Sequence, residues 1–424
     1  MRCFDLITEE GTLNNATFPA AVSRGPIGPA WLTGSLVAEC LSGMLDRSLE
    51  LGKNVQATCC GTWDTAIIAG LDERGEQPVP FLNIIMEPMA GGYGARPHAD
   101  GLDTGGLFCI PMGRIPDVEM TEFLYPVLTL WRREVPDSGG PGRHRGGVAA
   151  SVAITPHGTS VPMGLILASA GKAVAQNAGL CGGHPGNTGL DVIARNSRIK
   201  EILAAGQMPS TLPEISDTLE PGQNYATSYL APGEVFAMTW QGGGGYGDPL
   251  TREPEAVARD VREQKVTAEA ARAVYGVVID DGAVNAAATA AERGQHRARR
   301  RERSQSLGGP RGKASLASAR RLDDNLVQVA APGSSGTVVA CRHCAEILGG
   351  PGPGDTLTLA VHEGPPAEAG PQILANPADY VDAPIVFRQY CCPSCWTALY
   401  SAVVPAGHTD TVTSIGRLTA TPAL

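Results

Sequence analysis

Two pairs of cysteines late in the chain have the spacing of a metal site. Cys341 and Cys344 form one C-x-x-C pair, and Cys392 and Cys395 form a second. Each pair can present two thiolates to one tetrahedral ion, and four thiolates fill the shell of a zinc ion without leaving a position for water or substrate. We therefore predict a structural zinc ion that stabilises a small domain with little core of its own. The alternatives are a redox pair or idle cysteines, and Cys391 can replace Cys392 as a ligand.

A glycine-rich loop at residues 137–147 carries three adjacent cationic or basic side chains. The glycines of its sequence, DSGGPGRHRGG, free backbone N–H groups, while Arg143, His144 and Arg145 supply positive charge. Backbone donors combined with guanidinium groups are suited to holding phosphate or carboxylate. We predict an anion-binding or substrate-binding site at this loop. The alternative is a turn in which both arginines pair with acidic neighbours.

A second polar loop, at residues 91–106, gathers side chains that can perform acid–base chemistry. Arg96, His98, Asp100 and Asp103 lie close enough in sequence to converge on a substrate or an ion. We predict that Arg96, His98 and Asp100 are catalytic, with His98 as a general base and Asp100 as the group that orients it. The alternative is a surface turn with scattered polar residues.

The run WQGGGGYGDP at residues 240–249 has five glycines in six positions. Fixing so many glycines in one conformation costs much backbone entropy, and other interactions must offset that cost. Its glycines fit the G-x-G-x-x-G spacing of a dinucleotide turn, but the residue before Pro249 is pushed out of the helical region where a pyrophosphate needs a helix N-terminus. We predict that the run approaches a ligand or a neighbouring chain through its backbone, with Gly244 and Gly245 in the binding site. The alternative is an ordinary flexible loop.

The sequence carries none of the motifs that would identify a self-contained hydrolase, metalloprotease or nucleotide-binding enzyme. We find no G-x-S-x-G elbow, no H-E-x-x-H pair, and no kinase or Walker set. The sequence therefore argues against an enzyme that works alone through one of those mechanisms.

Composition predicts the architecture that must position these groups. The 424 residues are 43% hydrophobic and include 53 glycines and 33 prolines, which favours a loop-rich, β-containing fold over a helical bundle. We predict an α+β protein with a β-rich main domain at residues 1–285, an Ala/Arg/Gly-rich linker at 286–325 and a small zinc-ribbon-like β domain at 326–424.

Several elements can be predicted from periodicity. Apolar residues recur at helical spacing within residues 28–51, and we expect them to pack in the core. Short strand-like runs are separated by glycine and proline turns, at residues 65–68, 81–86, 107–110, 148–155, 163–169, 356–362 and 384–390.

The net charge of −10 is unevenly distributed. Residues 290–321 hold ten Lys and Arg against two Asp and Glu, so the rest of the chain carries −18. We predict that the basic block is a solvated tether that docks on an acidic partner. Two features argue against nucleic-acid binding. The rest of the chain is acidic, and no aromatic residues lie between the arginines of the basic block. The sequence also lacks an apolar run long enough for a membrane, so a cytoplasmic location is the default expectation.

Three segments resemble the hydantoinase B/oxoprolinase family, which includes the large subunits of acetone and acetophenone carboxylases. They are GGGGYGDP at residues 242–249 with its helical continuation to 278, the 137–147 loop, and NNATFPAAV at 14–22. The 91–106 loop resembles a further family motif. The tail also resembles the small zinc-binding subunit of these carboxylases, in its cysteine pairs and in RQYCCP at residues 388–393.

The resemblance implies a multi-chain enzyme in which a hydantoinase A-like subunit binds and splits ATP. In the carboxylase branch, ATP phosphorylates bicarbonate and the enol of a ketone before a carbon–carbon bond forms. In the hydantoinase and oxoprolinase branch, ATP drives the opening of a cyclic amide. The zinc tail favours the carboxylase branch.

The chain matches only the C-terminal part of the family's B-like subunit. The resemblance therefore leaves two alternatives. Either the subunit is split, and a companion chain carries the N-terminal half and can hold a second metal, or this chain has lost catalysis. A non-catalytic scaffold and a nucleic-acid adaptor are the alternative functions.

Overall fold

A computed structural model describes residues 7–22, 26–48, 50–60, 65–85, 90–107, 114–306, 308–350 and 355–409. It is a mixed α and β protein built on antiparallel sheets, which confirms the predicted fold class. The expected 107–110 strand falls mostly outside the described residues. No described helix combines the length and the hydropathy needed to cross a membrane.

The main body is a sandwich of two antiparallel sheets. The first sheet has the order β2–β1–β5–β8 and the second has the order β3–β4–β9–β6–β7. Apolar residues from the facing sides of both sheets, such as Ile68, Leu165 and Phe236, form one buried cluster. The strands are β1 (Thr65–Asp72), β2 (Val79–Ile85), β3 (Val127–Glu134), β4 (Ala150–Pro156), β5 (Met163–Ala168), β6 (Leu190–Arg195), β7 (Thr218–Pro221), β8 (Tyr225–Leu230) and β9 (Val235–Thr239).

Most helices are short, and the two longest described helices are α1, near the start of the chain, and α7, which follows residue 285. They are α1 (Trp31–Leu45), α2 (Val118–Leu124), α3 (Ile199–Ala204), α4 (Leu212–Ile215), α5 (Pro254–Arg262), α6 (Ala268–Ala273) and α7 (Ala286–Arg303). Ile199 of α3 and Ile215 of α4 pack against the outer face of the second sheet and cover it.

Helix α1 corrects one expectation from the sequence. Its apolar stripe was predicted to be core. Trp31 is buried as predicted, yet Leu36 and Val37 are exposed, while Ser35 and Ser42 face inward. Ser42 exchanges hydrogen bonds with the main chain of Gln56, so the helix rests on its small polar side. Periodicity identified the helix but assigned its apolar side to the wrong environment.

The glycine run is the axis of a bundle of extended segments. The N–H groups of Gly243, Gly244 and Gly245 donate in turn to Gly147, Thr58 and His184, which lie on three different segments, at distances of 2.8–2.9 Å. Donors that rotate by a third of a turn per residue, without hydrogen bonds inside the segment, are typical of the polyproline II geometry. The run is therefore an ordered core element, and the flexible-loop alternative is wrong.

Steric crowding explains why this axis is made of glycine. A Cβ atom on Gly243 would lie 2.0 Å from the Tyr93 carbonyl oxygen, and one on Gly244 would lie 2.0 Å from the Ala178 carbonyl oxygen. Both contacts are far inside van der Waals distance and involve backbone atoms that cannot move aside. The chain approached by the glycine backbone is therefore this chain itself.

Helix α7 corrects the predicted tether. Residues 286–303 are a continuous helix that starts at an Asn285 cap, whose side chain accepts from the N–H of Ala288. Arg300 of this helix points inward and pairs with Asp248. The Ala, Glu and Arg residues of the segment are strong helix formers, so propensity decides its structure more than its charge does. The boundaries predicted at 285 and 326 stay predictions.

The tail contains two further antiparallel sheets, with orders β13–β14–β15–β16 and β12–β17–β18–β19, after a small β10–β11 pair. Their strands are β10 (Ile279–Asp280), β11 (Ala283–Val284), β12 (Gln305–Ser306), β13 (Arg320–Arg321), β14 (Leu326–Ala330), β15 (Thr337–Cys341), β16 (Ile347–Gly349), β17 (Ala360–Gly364), β18 (Ile385–Cys391) and β19 (Ala398–Pro405). The tail docks on the main body. Asn325 donates to the Cys181 carbonyl oxygen, and His184 contacts the Ala369 carbonyl oxygen at 2.7 Å.

Candidate functional site

The four cysteines predicted as metal ligands converge in the tail. The Sγ atoms of Cys341, Cys344, Cys392 and Cys395 all lie within 4.8 Å of one another. Cys341 and Cys395 are 3.8 Å apart and Cys344 and Cys392 are 3.6 Å apart, sulfur to sulfur. A tetrahedral ion with zinc–sulfur bonds of about 2.3 Å needs sulfurs about 3.8 Å apart. The cluster therefore has the size that a four-thiolate metal site requires.

Two matching turns bring these sulfurs together. In each C-x-x-C pair, the residue after the second cysteine has a left-handed backbone, with φ of 64° at Ala345 and 60° at Trp396. The same residue donates its N–H to the carbonyl of the first cysteine, Cys341 or Cys392, at 2.8 and 3.0 Å. Each pair thus closes a tight turn at the end of a strand, and the two turns face each other.

The structure also settles which of the two adjacent cysteines faces the cluster. Cys391 points elsewhere and donates to the side-chain oxygen of Gln389 at 3.7 Å. Burial raises the pKa of the Cys391 thiol to about 12. The sulfur of Cys392, by contrast, lies 3.6 Å from that of Cys344 inside the cluster. Cys392 is therefore the fourth member of the cluster, and Cys391 is not a member.

A buried ion pair connects the cysteine cluster to the glycine axis. Asp248, which ends the glycine run, accepts two hydrogen bonds from Arg300 at 2.6 and 2.9 Å and one from the N–H of Ala398 at 2.8 Å. Arg300 also donates to the carbonyl oxygen of Trp396. Although burial opposes ionisation, Arg300 holds the pKa of Asp248 below its usual value. One side chain of α7 therefore joins the bundle and the second cysteine turn.

The predicted anion loop contributes Arg145 to a buried charge network. Arg145 pairs with Asp103 at 2.6 Å and with Asp260 at 3.2 Å. Arg252 pairs with the other oxygen of Asp260 and with Asp100, at 2.7 and 2.6 Å. These alternating charges lock both polar loops to Asp260 in the last turn of α5 and to Arg252, which precedes that helix. Arg145 therefore pairs with acidic residues, as the alternative interpretation of this loop predicted. A role for Arg145 in anion binding stays an untested prediction.

Asp100 has partners other than the histidine that it was expected to orient. Its carboxylate is held by Arg252 and by the main-chain N–H of Arg145, and His144 approaches it at 3.8 Å. Burial lowers the pKa of His144, and the imidazole of His144 is therefore neutral near pH 7. His98 is exposed at the tip of the loop.

The remaining predicted side chains divide into one that is paired and one that faces solvent. Arg143 pairs with Asp324 of the tail at 2.9 Å and lies over the Tyr246 ring at 5.6 Å. Arg96 is exposed beside His98. The N–H groups of Gly244 and Gly245 are engaged inside the bundle, so a role for them in anion binding also stays an untested prediction.

The sequence analysis missed Arg252, Asp260 and Arg300 as residues that organise the site. Arg252 and Asp100 are 152 residues apart, so no local spacing predicts their contact. Arg300 lies in an arginine-rich run whose members look alike in sequence. Only its depth, with 13% of the side chain exposed, distinguishes it from its neighbours.

A family model described as hydantoinase B/oxoprolinase matches residues 1–249. The match ends at the glycine axis and its Asp-Pro end, so it includes the bundle and both polar loops. It does not reach the four cysteines, and no family match supports the resemblance of the tail to a carboxylase subunit.

Proteins with described activities are similar to large parts of this chain. The acetone carboxylase alpha subunit of Xanthobacter autotrophicus is 30% identical over 231 residues, which are 50% of this chain and 29% of that subunit. The caprolactamase subunit beta of Pseudomonas jessenii is 30% identical over 304 residues, 70% of this chain and 47% of that subunit. A nucleotide-free structure of acetone carboxylase aligns with a TM-score of 0.56 at 27% identity, covering 62% of this chain and 37% of that one. The chain thus spans less than half the length of each.

Proposed function

This chain belongs to the hydantoinase B/oxoprolinase family, and from that premise we propose that it is a subunit of an ATP-dependent complex that carboxylates a ketone. The observation that carries the proposal is the agreement with acetone carboxylase in both sequence and fold. ATP is bound and split by a hydantoinase A-like partner subunit of the complex.

We assign this chain the task of presenting the 91–106 loop on a rigid support. Asp100 and Arg145 are positioning residues, because their buried pairs fix the loop against α5. Arg96 and His98 remain at the loop surface, where a substrate or a partner subunit can reach them. His98 then accepts a proton from substrate, and Arg96 holds an anionic group such as a phosphate or carboxylate.

The tail holds a structural zinc ion in this proposal. The four sulfurs have the number, type and spacing that zinc requires, and a bound ion would fix both cysteine turns. Because the second turn also contacts Arg300, the zinc stabilises the contact between tail and bundle rather than an isolated domain.

The second candidate is ATP-dependent opening of a cyclic amide. It is favoured by the caprolactamase subunit beta, whose match extends over 70% of this chain and therefore beyond the family model. The two candidates share the assembly and differ in the substrate.

The test is reconstitution of the chain with candidate ATP-binding and companion subunits. We expect acetone-dependent ATP hydrolysis and incorporation of labelled bicarbonate that require this chain. ATP hydrolysis that depends on a cyclic amide, without bicarbonate incorporation, would instead establish the second candidate.

Point variants test the loop assignment in the same complex. We expect Arg96→Ala and His98→Ala each to lower turnover by about tenfold or more without lowering the melting temperature. Arg198→Ala is the control, because Arg198 is an exposed arginine on another part of the body that pairs with Asp217. Turnover that is unchanged in both loop variants would leave this chain a scaffold.

A further inference from the structure

A large cleft lies where α6, α7 and the tail meet. It encloses about 950 Å³, which is within the size range of sites that bind drug-sized molecules. One wall is formed by α6 and α7, and the other by β18 and the tail segment 367–373, with His184 of the main body between them. None of the described lining residues belongs to the two polar loops or to the cysteine cluster. The cleft therefore exists because the tail docks on the main body.

The two walls of the cleft differ in chemistry. The helical wall carries all the arginines among the described lining residues, namely Arg272, Arg299, Arg300 and Arg303. The tail wall presents apolar side chains beside the His362–Glu368 pair, and the two largest, Ile373 and Phe387, pack in one cluster. A cationic wall that faces a mostly apolar wall suits a ligand with an anionic head and an apolar body.

Two guanidinium groups of the helical wall share a single carboxylate. Nε of Arg272 donates to one oxygen of Glu292 at 3.0 Å, and Nη2 of Arg299 donates to the other oxygen at 3.3 Å. The other nitrogens of both groups have no hydrogen bond to the described residues, so they are available to a ligand. His296 lies 3.6 Å from the same carboxylate, and burial lowers its pKa, so it adds no charge near pH 7. One of the two positive charges is therefore without a bonded counter-ion.

The rest of the cleft offers no further excess of positive charge. Arg300 pairs with Asp248, and Arg303 pairs with Glu368 at 3.1 Å. Glu269, the third glutamate of the lining, is exposed and forms no ion pair within the part of the chain that the structure describes. A polyanion such as a nucleotide would therefore meet too little positive charge, whereas a single carboxylate matches the charge left over at the shared glutamate.

We propose that this cleft binds an organic monocarboxylate whose apolar body is at least the size of an aromatic ring. The carboxylate lies against Arg272 and Arg299, because guanidinium groups bind carboxylates through paired N–H donors. The apolar body lies against Ile373 and Phe387, where it leaves water. A body of this size follows from the volume of the cleft, which is larger than an acid of two or three carbons needs. The inference does not depend on the reaction of the complex, since it concerns a ligand of this chain alone.

The test measures the binding of 4-phenylbutanoate to the full chain by titration calorimetry. Two matched probes separate the parts of the ligand. 4-Phenylbutan-1-ol has the same apolar body without the charge, and acetate has the charge without the body. We expect 4-phenylbutanoate to bind about tenfold or more tightly than either probe, because it alone engages both walls.

Charge variants should change the affinity for the acid in opposite directions. Arg272→Met and Arg299→Met each remove donors to the carboxylate and should weaken binding by about tenfold. Glu292→Gln removes the competing carboxylate with little change of shape and should strengthen binding by about fivefold. Arg198→Met is the control and should leave binding unchanged, because Arg198 is an exposed arginine of the main body that pairs with Asp217. Melting temperatures establish that each variant folds.

The apolar wall has its own variant. Ile373→Thr removes apolar area, so it should weaken the binding of the acid and of the alcohol by a similar factor of about three. None of the charge variants should change the affinity for the alcohol, since the alcohol carries no charge.

Several results would overturn the inference. One is an absence of binding by the unaltered chain at up to about 10 mM 4-phenylbutanoate. Another is an affinity for the acid that is the same in the three charge variants as in the unaltered chain. Acetate that binds as tightly as the acid would show that the apolar wall contributes nothing. ADP that binds more tightly than the acid, and that loses affinity in Arg299→Met, would show that the cleft is a site for polyanions.

Discussion

The Arg300–Asp248 pair allows a quantitative test because the same helix carries a matched exposed pair. Arg300 and Asp248 keep 13% and 2% of their side chains exposed, whereas Arg303 and Glu368 keep 54% and 30%. Both arginines lie in the last turns of α7 and both bind a carboxylate. They differ mainly in depth, so Arg303→Met is the natural control for Arg300→Met.

The expected cost follows from what each change leaves behind. Arg300→Met leaves the Asp248 carboxylate buried without its counter-ion, and breaking a buried pair in this way costs about 3–5 kcal/mol. Arg303→Met leaves Glu368 in contact with water and costs about 0–1 kcal/mol. Asp248→Asn combined with Arg300→Met removes the stranded charge, so the double variant should be more stable than Arg300→Met alone.

Urea unfolding of the zinc-loaded chain measures these differences, because the free energy of unfolding falls linearly with denaturant. Circular dichroism and tryptophan fluorescence should be followed together to check that the transition is cooperative. If Arg300→Met and Arg303→Met differ by less than about 0.5 kcal/mol, the buried pair does not stabilise the fold as argued.

Three further predictions test the cysteine cluster, the glycine axis and a buried histidine. If the cluster holds zinc as proposed, native mass spectrometry should detect about one zinc ion per chain. Cys392→Ser should abolish that signal, whereas Cys40→Ser, which changes an exposed cysteine on α1, should leave it unchanged. Gly244→Ala should destabilise the chain by about 3 kcal/mol or more, while Gly43→Ala, with open space in a helix, should stabilise it slightly, as urea unfolding will report. Burial lowers the pKa of His184 to about 4 in the folded chain, so below about pH 6.5 the unfolded chain binds a proton that the folded chain does not. The free energy of unfolding should therefore fall by up to about 3 kcal/mol between pH 7 and pH 4.5. His184→Gln should remove that part of the pH dependence.

Features set by local spacing could be predicted from the sequence. Each C-x-x-C pair needs only a local turn, and the need of one ion for four thiolates predicts that the two turns meet. The strands β1, β4 and β5 follow their own apolar pattern. The family resemblance was likewise carried by contiguous motifs, and the family model confirms it.

Features set by distant contacts could not be predicted. The partners of Arg145 could not be named from the sequence, because Asp103 and Asp260 lie 42 and 115 residues away. The apolar stripe of α1 has the same period whether the helix packs in a core or against another polypeptide. Helix α7 was misjudged for a different reason, because its charge was weighed above its helix propensity.

The glycine axis also dictates when the molecule can finish assembling. Its surrounding segments lie at residues 55–60, 91–106, 138–149 and 177–189, and the axis itself comes last, at 240–247. Pairings across such sequence distances slow folding, because the entropy cost of closing long loops comes before the stabilising contacts form. As the chain leaves the ribosome, four outer segments therefore emerge with their shared partner still unsynthesised. The second sheet cannot close earlier either, because its central strand β9 immediately precedes the axis, so the sandwich and the bundle are completed together.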